Sequence, residues 1–219
     1  MHEGVSKILQ SGGLKSVIAM MDSQKASDLW MNSVSPLEEA YRHGDVGLVT
    51  YLLQNGADAN QQLHKHDCPI LHMAVYTSQV PMVRALLKYG ANINARSGVK
   101  KYTTLMYACF STSMEMVALV TDAGANINEV DDDNCSSLWY SIQHKTDPLQ
   151  IKLLLDRGAD PNVGQTMLFE TISAKRPDLA QMIVDAGANT QVKNAWGKTL
   201  YEEAQRQGVE SMFAIFEKI

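Results

Sequence analysis

Leu86-Leu87-Lys88-Tyr89-Gly90-Ala91-Asn92-Ile93-Asn94 is the stretch that decides the fold, because it recurs with variation along the chain. Leu52 to Asn60 is one copy, Leu119 to Asn128 contains another, Leu154 to Asn162 is a fourth, and Ile183 to Asn189 is a truncated fifth. The glycines of these copies stand at 56, 90, 124, 158 and 187, so their separations are 34, 34, 34 and 29. A fixed period in this range marks an architecture of repeated units. Each copy also has a local meaning. Two apolar residues close a helix, and glycine then takes the left-handed conformation that ends it without a Cβ penalty. Alanine leaves room for a close chain approach, and Asn or Asp supports a turn through side-chain to backbone bonding.

A second signature precedes each of these helix ends and opens a first helix. Its copies are Ser35-Pro36-Leu37-Glu38-Glu39-Ala40, Pro69-Ile70-Leu71-His72-Met73-Ala74, Thr103-Thr104-Leu105-Met106-Tyr107-Ala108, Ser136-Ser137-Leu138-Trp139-Tyr140-Ser141 and Thr166-Met167-Leu168-Phe169-Glu170-Thr171. Ser or Thr caps the helix start, and Pro is tolerated at its first position. The combined pattern resembles the ankyrin repeat, whose signature is Thr-Pro-Leu-His-x-Ala followed by a leucine pair, Gly-Ala-Asp and Asn. The resemblance covers roughly residues 32 to 219. Individual copies depart from it: only Leu71-His72-Met73-Ala74 keeps the His, and only Ser35-Pro36-Leu37 keeps the Pro. It implies an all-α solenoid of helix-turn-helix units with β-hairpin-like fingers, and a non-enzymatic module that binds another protein through a concave groove and its finger tips.

Domain organisation follows from the repeats. Residues 1–31 lack the signature but keep its rhythm, with Leu14, Val17, Ile18 and Met21 at helical spacing, and are read as a divergent N-terminal capping repeat. Residues 32–219 form an array of about five to six units, including a C-terminal cap, within a single continuous domain. Repeat two runs from about Asn32 to Gln61, repeat three from Pro69 and repeat four from Tyr102. Repeat five has a one-residue change at Thr146-Asp147-Pro148. Repeat six is joined by a shortened connection, Pro161 to Gln165, with no room for a long finger. The last unit begins at Trp196, and its polar residues suit a cap with one wet face.

Composition narrows the function. The 19 basic and 24 acidic side chains leave a formal net charge of −5, which argues against general affinity for nucleic acid or membrane surfaces. No run of 18 apolar residues marks a spanning helix, and Gly12, Gly13 and Lys15 break the stretch from Ile8 to Met21 as a signal-peptide core. Three scattered cysteines fit free thiols in a reducing compartment. The expected location is cytoplasmic, or the host cytosol for a secreted effector, and the expected state is a monomer without cofactor.

Two enzymatic readings compete. His64, His66, Asp67, Cys68 and His72 lie close together in sequence, and zinc favours such ligands. Yet His72 matches the family's structural histidine, which implies a bond to neighbouring backbone, and His64 and His66 sit on a finger tip. Hence His64, His66 and Cys68 stand only as weak metal candidates. Cys109 falls at a packed helical position, and neither Cys68 nor Cys135 has an evident local histidine partner for nucleophilic work. No phosphate loop, nucleophile elbow or His-Glu-x-x-His is present. The run Asp131-Asp132-Asp133 does not match a calcium loop and reads as a solvated finger tip.

What remains is a surface. The groove positions implied by the resemblance are Arg42 and His43 in repeat two, His66, Tyr76 and Thr77 in repeat three, Lys100, Tyr102 and Phe110 in repeat four, Asp132, Asp133 and His144 in repeat five, and Trp196 in the last unit. The repeat scaffold itself needs no aromatic at Tyr76, Tyr102 or Phe110, and exposed aromatics are common interface anchors; the competing reading packs Tyr76 and Phe110 into the first-helix row as core. Charge adds a second pattern. The finger with Arg96, Lys100 and Lys101 precedes one with Glu129, Asp131, Asp132 and Asp133. These fingers either attract one another or present a bipolar strip to a partner, and partner selection is the favoured reading. An adaptor, an inhibitor, a bacterial effector and an immunity or antitoxin protein would all work through such a surface, whereas a metal- or thiol-dependent enzyme would not.

Overall fold

The structure, a computed structural model, describes residues 35–64, 68–144 and 147–217. The expected capping repeat at residues 1–31 lies outside them, as does His66. Helices come in pairs: α1 (Pro36–Arg42) with α2 (Val46–Gln54), α3 (Ile70–Tyr76) with α4 (Val80–Lys88), α5 (Thr104–Phe110) with α6 (Met114–Asp122), α7 (Ser137–Gln143) with α8 (Pro148–Asp156), and α9 (Met167–Ser173) with α10 (Pro177–Asp185). Every first helix has seven residues and every second helix nine. A final helix, α11 (Leu200–Gln207), is followed by a 3₁₀ turn (Glu210–Met212) and a short α12 (Phe213–Phe216). Helices this short are marginal alone in water, so their stability comes from packing.

Local chemistry fixes where each begins and ends. Ser35, Thr103, Ser136 and Thr199 accept a hydrogen bond from the third helical N–H at the start of α1, α5, α7 and α11. Asp45 and Ser113 cap α2 and α6 in the same way, and Asp147 caps α8 through the second helical N–H, that of Leu149. Beyond each second helix the signature glycine has a φ of 87 to 92°. The alanine after it donates its N–H back to the helix, as Ala91 does to the Leu86 carbonyl at 3.0 Å. A Cβ at these five glycines would meet nothing within 4 Å. The backbone conformation, not space, is what demands glycine there.

The described residues divide into two compact units, one of residues 35–64, 68–74 and 79–92 and the other of 75–78, 93–144 and 147–217. In the first, Leu37, Leu48, Leu52, Leu71, Met82 and Leu86 form a buried apolar interior. In the second, Leu105, Met116, Val120, Leu138, Ile142, Ile151, Leu154, Leu168 and Ile183 do the same. The signature alanine remains buried as Ala108 in repeat four but becomes Ser141 and Thr171 in the next two. Both hydroxyls are satisfied at once: Ser141 Oγ donates to the Ser137 carbonyl, and Thr171 Oγ1 donates to that of Leu168.

Fingers join successive repeats. β1 (Arg96–Ser97) pairs antiparallel with β2 (Tyr102–Thr103), with Arg96 opposite Thr103 and Ser97 opposite Tyr102. Single antiparallel bridges close the others, at Gln62 with Pro69, Val130 with Ser136 and Lys193 with Thr199. Among the described residues, no bridge closes the segment from Asn162 to Thr166. There Gly164 runs so close to the preceding finger that a Cβ would lie 2.7 Å from the Asn134 carbonyl oxygen. Gln165 Nε2 then donates to the Asp133 carbonyl oxygen at 3.1 Å.

The last asparagine of the signature does more than turn the chain. Asn60 Nδ2 donates to the Gly90 carbonyl, and Asn60 Oδ1 accepts the Asn92 N–H. Asn94 holds Gly124 and Asn126, Asn128 holds Gly158 and Asp160, and Asn162 holds Gly187 and Asn189 in the same two-bonded way. One amide thus ties the helix exit of each repeat to that of the next. Asn128→Ala removes both bonds and should destabilise the chain by about 1–2 kcal/mol in urea unfolding. Asn128→Asp keeps the acceptor and loses the donor, so it should fall between the two. Equal midpoints for all three proteins would contradict the clamp.

Candidate interaction surface

The fingers at 96–103 and 129–136 carry the strongest charge pattern in the sequence, and the structure pairs them with each other. Arg96 Nη1 lies 2.6 Å from Glu129 Oε1, and its Nη2 lies 3.4 Å from Asp132 Oδ1. Lys100 Nζ lies 2.5 Å from Asp133 Oδ2, a hydrogen bond that raises the lysine pKa. The Asp132 N–H also donates to the Lys100 carbonyl at 2.9 Å. The favoured expectation of a bipolar strip held open for a partner therefore gives way to its alternative. Most of this charge is already matched within the molecule.

The acidic run is also less uniform than its sequence suggests. Asp132 and Asp133 are exposed, but Asp131 is buried and is not part of a solvated tip. Its Oδ1 accepts the backbone N–H groups of Asp133 and Cys135 at 3.0 and 2.9 Å, and its Oδ2 accepts the Tyr140 hydroxyl at 2.6 Å. Burial, reinforced by this hydrogen bond, pushes the Tyr140 phenol well above its ordinary pKa. The last finger repeats the arrangement with different chemistry. Asn194 Oδ1 accepts the N–H groups of Trp196 and Lys198, and its Nδ2 donates to Glu203. An Asx residue nine positions before the middle of a first helix is the recurring signal.

Tyr140 leads to the aromatic cluster. Tyr102, Phe110 and Tyr140 meet edge to face, with centroid separations of 4.9 to 5.7 Å. Tyr107 joins at 5.9 Å from both Tyr102 and Phe110, and Trp139 packs 5.0 Å from Tyr140. Such contacts add to burial when rings meet edge-on. Tyr102 and Phe110 are half-buried and packed on Met106 and Cys135. They are thus partly structural, which corrects the expectation of free anchors. The cluster reaches solvent at its two ends. Tyr76, 49% exposed, sits 6.5 Å from Tyr107, and exposed His144 sits 5.2 Å from Phe110. Sequence reasoning did not single out Tyr107, Tyr140, Trp139 or the special role of Asp131.

The remaining candidates are dispersed. In the first unit, exposed Arg42 bonds Glu38 at 2.6 Å, and exposed His43 contacts Glu39 at 3.2 Å. Glu38, in the position of the family's histidine, is fully buried and its Oε2 accepts the His64 N–H at 2.8 Å. Exposed Thr77 follows Tyr76. Trp196 is 79% exposed at the tip of its own finger. Of the weak metal trio, His66 lies outside the described residues, Cys68 is buried with its thiol toward the Pro69 carbonyl, and exposed His64 bonds Glu38 through its backbone. Among the described residues no group of three or more His, Cys, Asp or Glu side chains is placed to hold a metal. Burial pushes the Cys109 thiol up to about 12 and the Cys135 thiol up to about 11, so both are protonated at neutral pH. Among the described residues no helix is long and apolar enough to cross a membrane.

Comparison with known proteins defines the class. The family model for ankyrin repeats in three copies matches residues 10–97, 37–131 and 105–194. The chain belongs to the ankyrin-repeat family, and its repeats support a protein–protein interaction module. Among solved structures, the ankyrin repeat domain of Bcl-3, described as a unique member of the IkappaB protein family, aligns with a TM-score of 0.74. That alignment covers 84% of this chain and 85% of the other at 22% identity, and so speaks for the fold. Human diacylglycerol kinase iota is 32% identical over 92 residues, 39% of this chain. The match spans only 9% of the kinase's length.

Two tests follow from the geometry. Asp131→Ala leaves the Tyr140 hydroxyl and two N–H groups without their acceptor and should cost roughly 3 kcal/mol, whereas Asp132→Ala should change stability by less than about 0.5 kcal/mol. Matching losses in thermal unfolding would refute the distinction. Alkylation of Cys109 by iodoacetamide at pH 8 should be on the order of a thousandfold slower in the folded chain than in urea, because so little thiolate is present.

Proposed function

We propose that the chain is a non-enzymatic binding module whose second unit contacts a partner protein through the solvent-facing ends of its aromatic cluster. Tyr76 and His144 are the primary contacts. Thr77 and the rims of Tyr102 and Phe110 complete the patch, and the exposed faces of Lys100, Asp132 and Asp133 border it. The observation that carries this reading is the unbroken series of ring contacts from Tyr76 through Tyr107 and Phe110 to His144. Its interior is fixed by packing, while its ends stay in solvent. A preformed apolar patch of this kind binds without the cost of ordering its side chains. Aromatic rings held in place supply large contact area per side chain, which is why they dominate binding energy at interfaces.

Packing sets the choice of test residues. Truncating Tyr102 or Phe110 would disturb the cluster itself, so loss of binding would be confounded with loss of structure. Tyr76→Ala and His144→Ala alter only the exposed ends. In affinity capture from lysate, the double variant should lose a protein retained by the native chain while its melting temperature stays within a few degrees. Retention of the same protein by both would remove this patch as the contact. Added chelator should leave capture unchanged.

A further inference from the structure

Repeat six carries a carboxylate that lacks the basic side chain its counterparts have one turn later. Counting from the capping residue of each first helix, the fourth position is Glu39 in repeat two, Glu170 in repeat six and Glu203 in the last unit. Glu39 contacts His43 four residues later at 3.2 Å. Glu203 takes both nitrogens of Arg206, Nη2 to Oε1 at 2.5 Å and Nε to Oε2 at 3.0 Å, with Gln207 adding a further bond. In repeat six the corresponding downstream residues are Ser173 and Ala174, neither of which is charged. Among the described residues no cation pairs with Glu170.

The space that a basic side chain would fill is open. A recess of about 150 Å³ is lined by Ile142, Gln143, Glu170, Ser173 and Ala174. The Gln143 amide donates to Glu170 Oε2, so the two side chains are held together as one polar wall. Ile142 and Ala174 supply an apolar side. Glu170 is half-buried, and loss of hydration raises its carboxyl pKa, opposed by the Gln143 bond. A half-buried carboxylate with one neutral partner gains from a cation that also brings fixed hydrogen-bond donors. The guanidinium group offers these in a planar fork on a thin apolar stem.

We infer that the recess at Gln143 and Glu170 is a receptor for an arginine side chain of the partner protein. This rests on the binding-module reading and names one chemical feature of what is bound. The guanidinium would occupy in repeat six the role that Arg206 fills beside Glu203 in the last unit. Specificity follows from geometry as well as charge, since the Glu170 carboxylate and the Gln143 amide line the same recess of about 150 Å³.

The probe is N-acetyl-arginine amide, titrated into the isotopically labelled chain and followed by nuclear magnetic resonance. Shifts are expected at the Gln143 side-chain amide and at the backbone amides of Glu170 and Ser173. N-acetyl-citrulline amide has nearly the same shape without the charge and should bind at least about tenfold more weakly, as should native probe to Glu170→Gln. Ser173→Arg places a guanidinium three residues after Glu170, as Arg206 stands after Glu203, and should abolish the shifts by filling the recess from within. Equal response to arginine and citrulline, unaltered binding by Glu170→Gln, or no response from the native chain overturns the proposal. A native chain that captures its partner through Tyr76 and His144 yet ignores the arginine probe removes the recess alone. Loss of that capture dependence with arginine binding intact removes the aromatic patch alone.

Discussion

The paired hydrogen bonds of a single asparagine amide set the register from one repeat to the next. Asn60, Asn94, Asn128 and Asn162 each reach a glycine carbonyl and the N–H two residues beyond it. A backbone in the left-handed conformation turns its carbonyl away from the helix it ends, and the amide meets it there. The side chain needs a donor and an acceptor to make both bonds, so aspartate, which only accepts, would make one. The helices supply apolar burial, which is large but carries little directional information. The amide contributes less energy and specifies where the next helix exit must lie.

Much of this architecture could be read before any coordinates. Glycine spacing located the ends of α2, α4, α6, α8 and α10, and the Ser, Thr and Pro residues located the starts of α1 and α5. These signals are local, since a cap or a left-handed turn depends on a few adjacent residues. The asparagines were also visible, but their spacing suggested only local turns. Their partners lie 30 and 32 residues away in the regular repeats, beyond the reach of turn chemistry. The surface was harder still. Asp131, Asp132 and Asp133 are identical in type and adjacent, yet only Asp131 is buried, because a phenol nine residues later and its own loop amides converge on it. Tyr102 and Phe110 read as anchors for the same reason: nothing in one repeat announces that the ring of Tyr140 closes over them.

Charge shows a related division between pattern and use. Opposite signs on neighbouring fingers are plain in the sequence, but sequence cannot say whether a charge faces its neighbour or a stranger. The pairing of Arg96 with Glu129 and Asp132, and of Lys100 with Asp133, assigns these charges inward. Exposed pairs of this sort add little stability but suppress wrong contacts by keeping fixed charge from being offered freely. Glu170 is the opposite case, a carboxylate whose helix supplies no counterion.

The short connection ending at Gly164 bears on how such chains change over time. The Asn162 bonds reach their partners 25 and 27 residues away, each five fewer than in the regular repeats, yet their lengths are unchanged at 3.0 and 2.7 Å. The five missing residues come out of the finger, and the asparagine clamp spans the gap as before, although Thr166 makes no side-chain cap bond at the start of α9. Finger length is therefore a variable that insertion and deletion can act on without passing through an unfolded intermediate genotype. The change also fixes Gly164, which must stay without a side chain so that the trimmed connection can lie against its neighbour. A lineage can thus reshape its fingers by whole segments, whereas its helices can be altered only one side chain at a time.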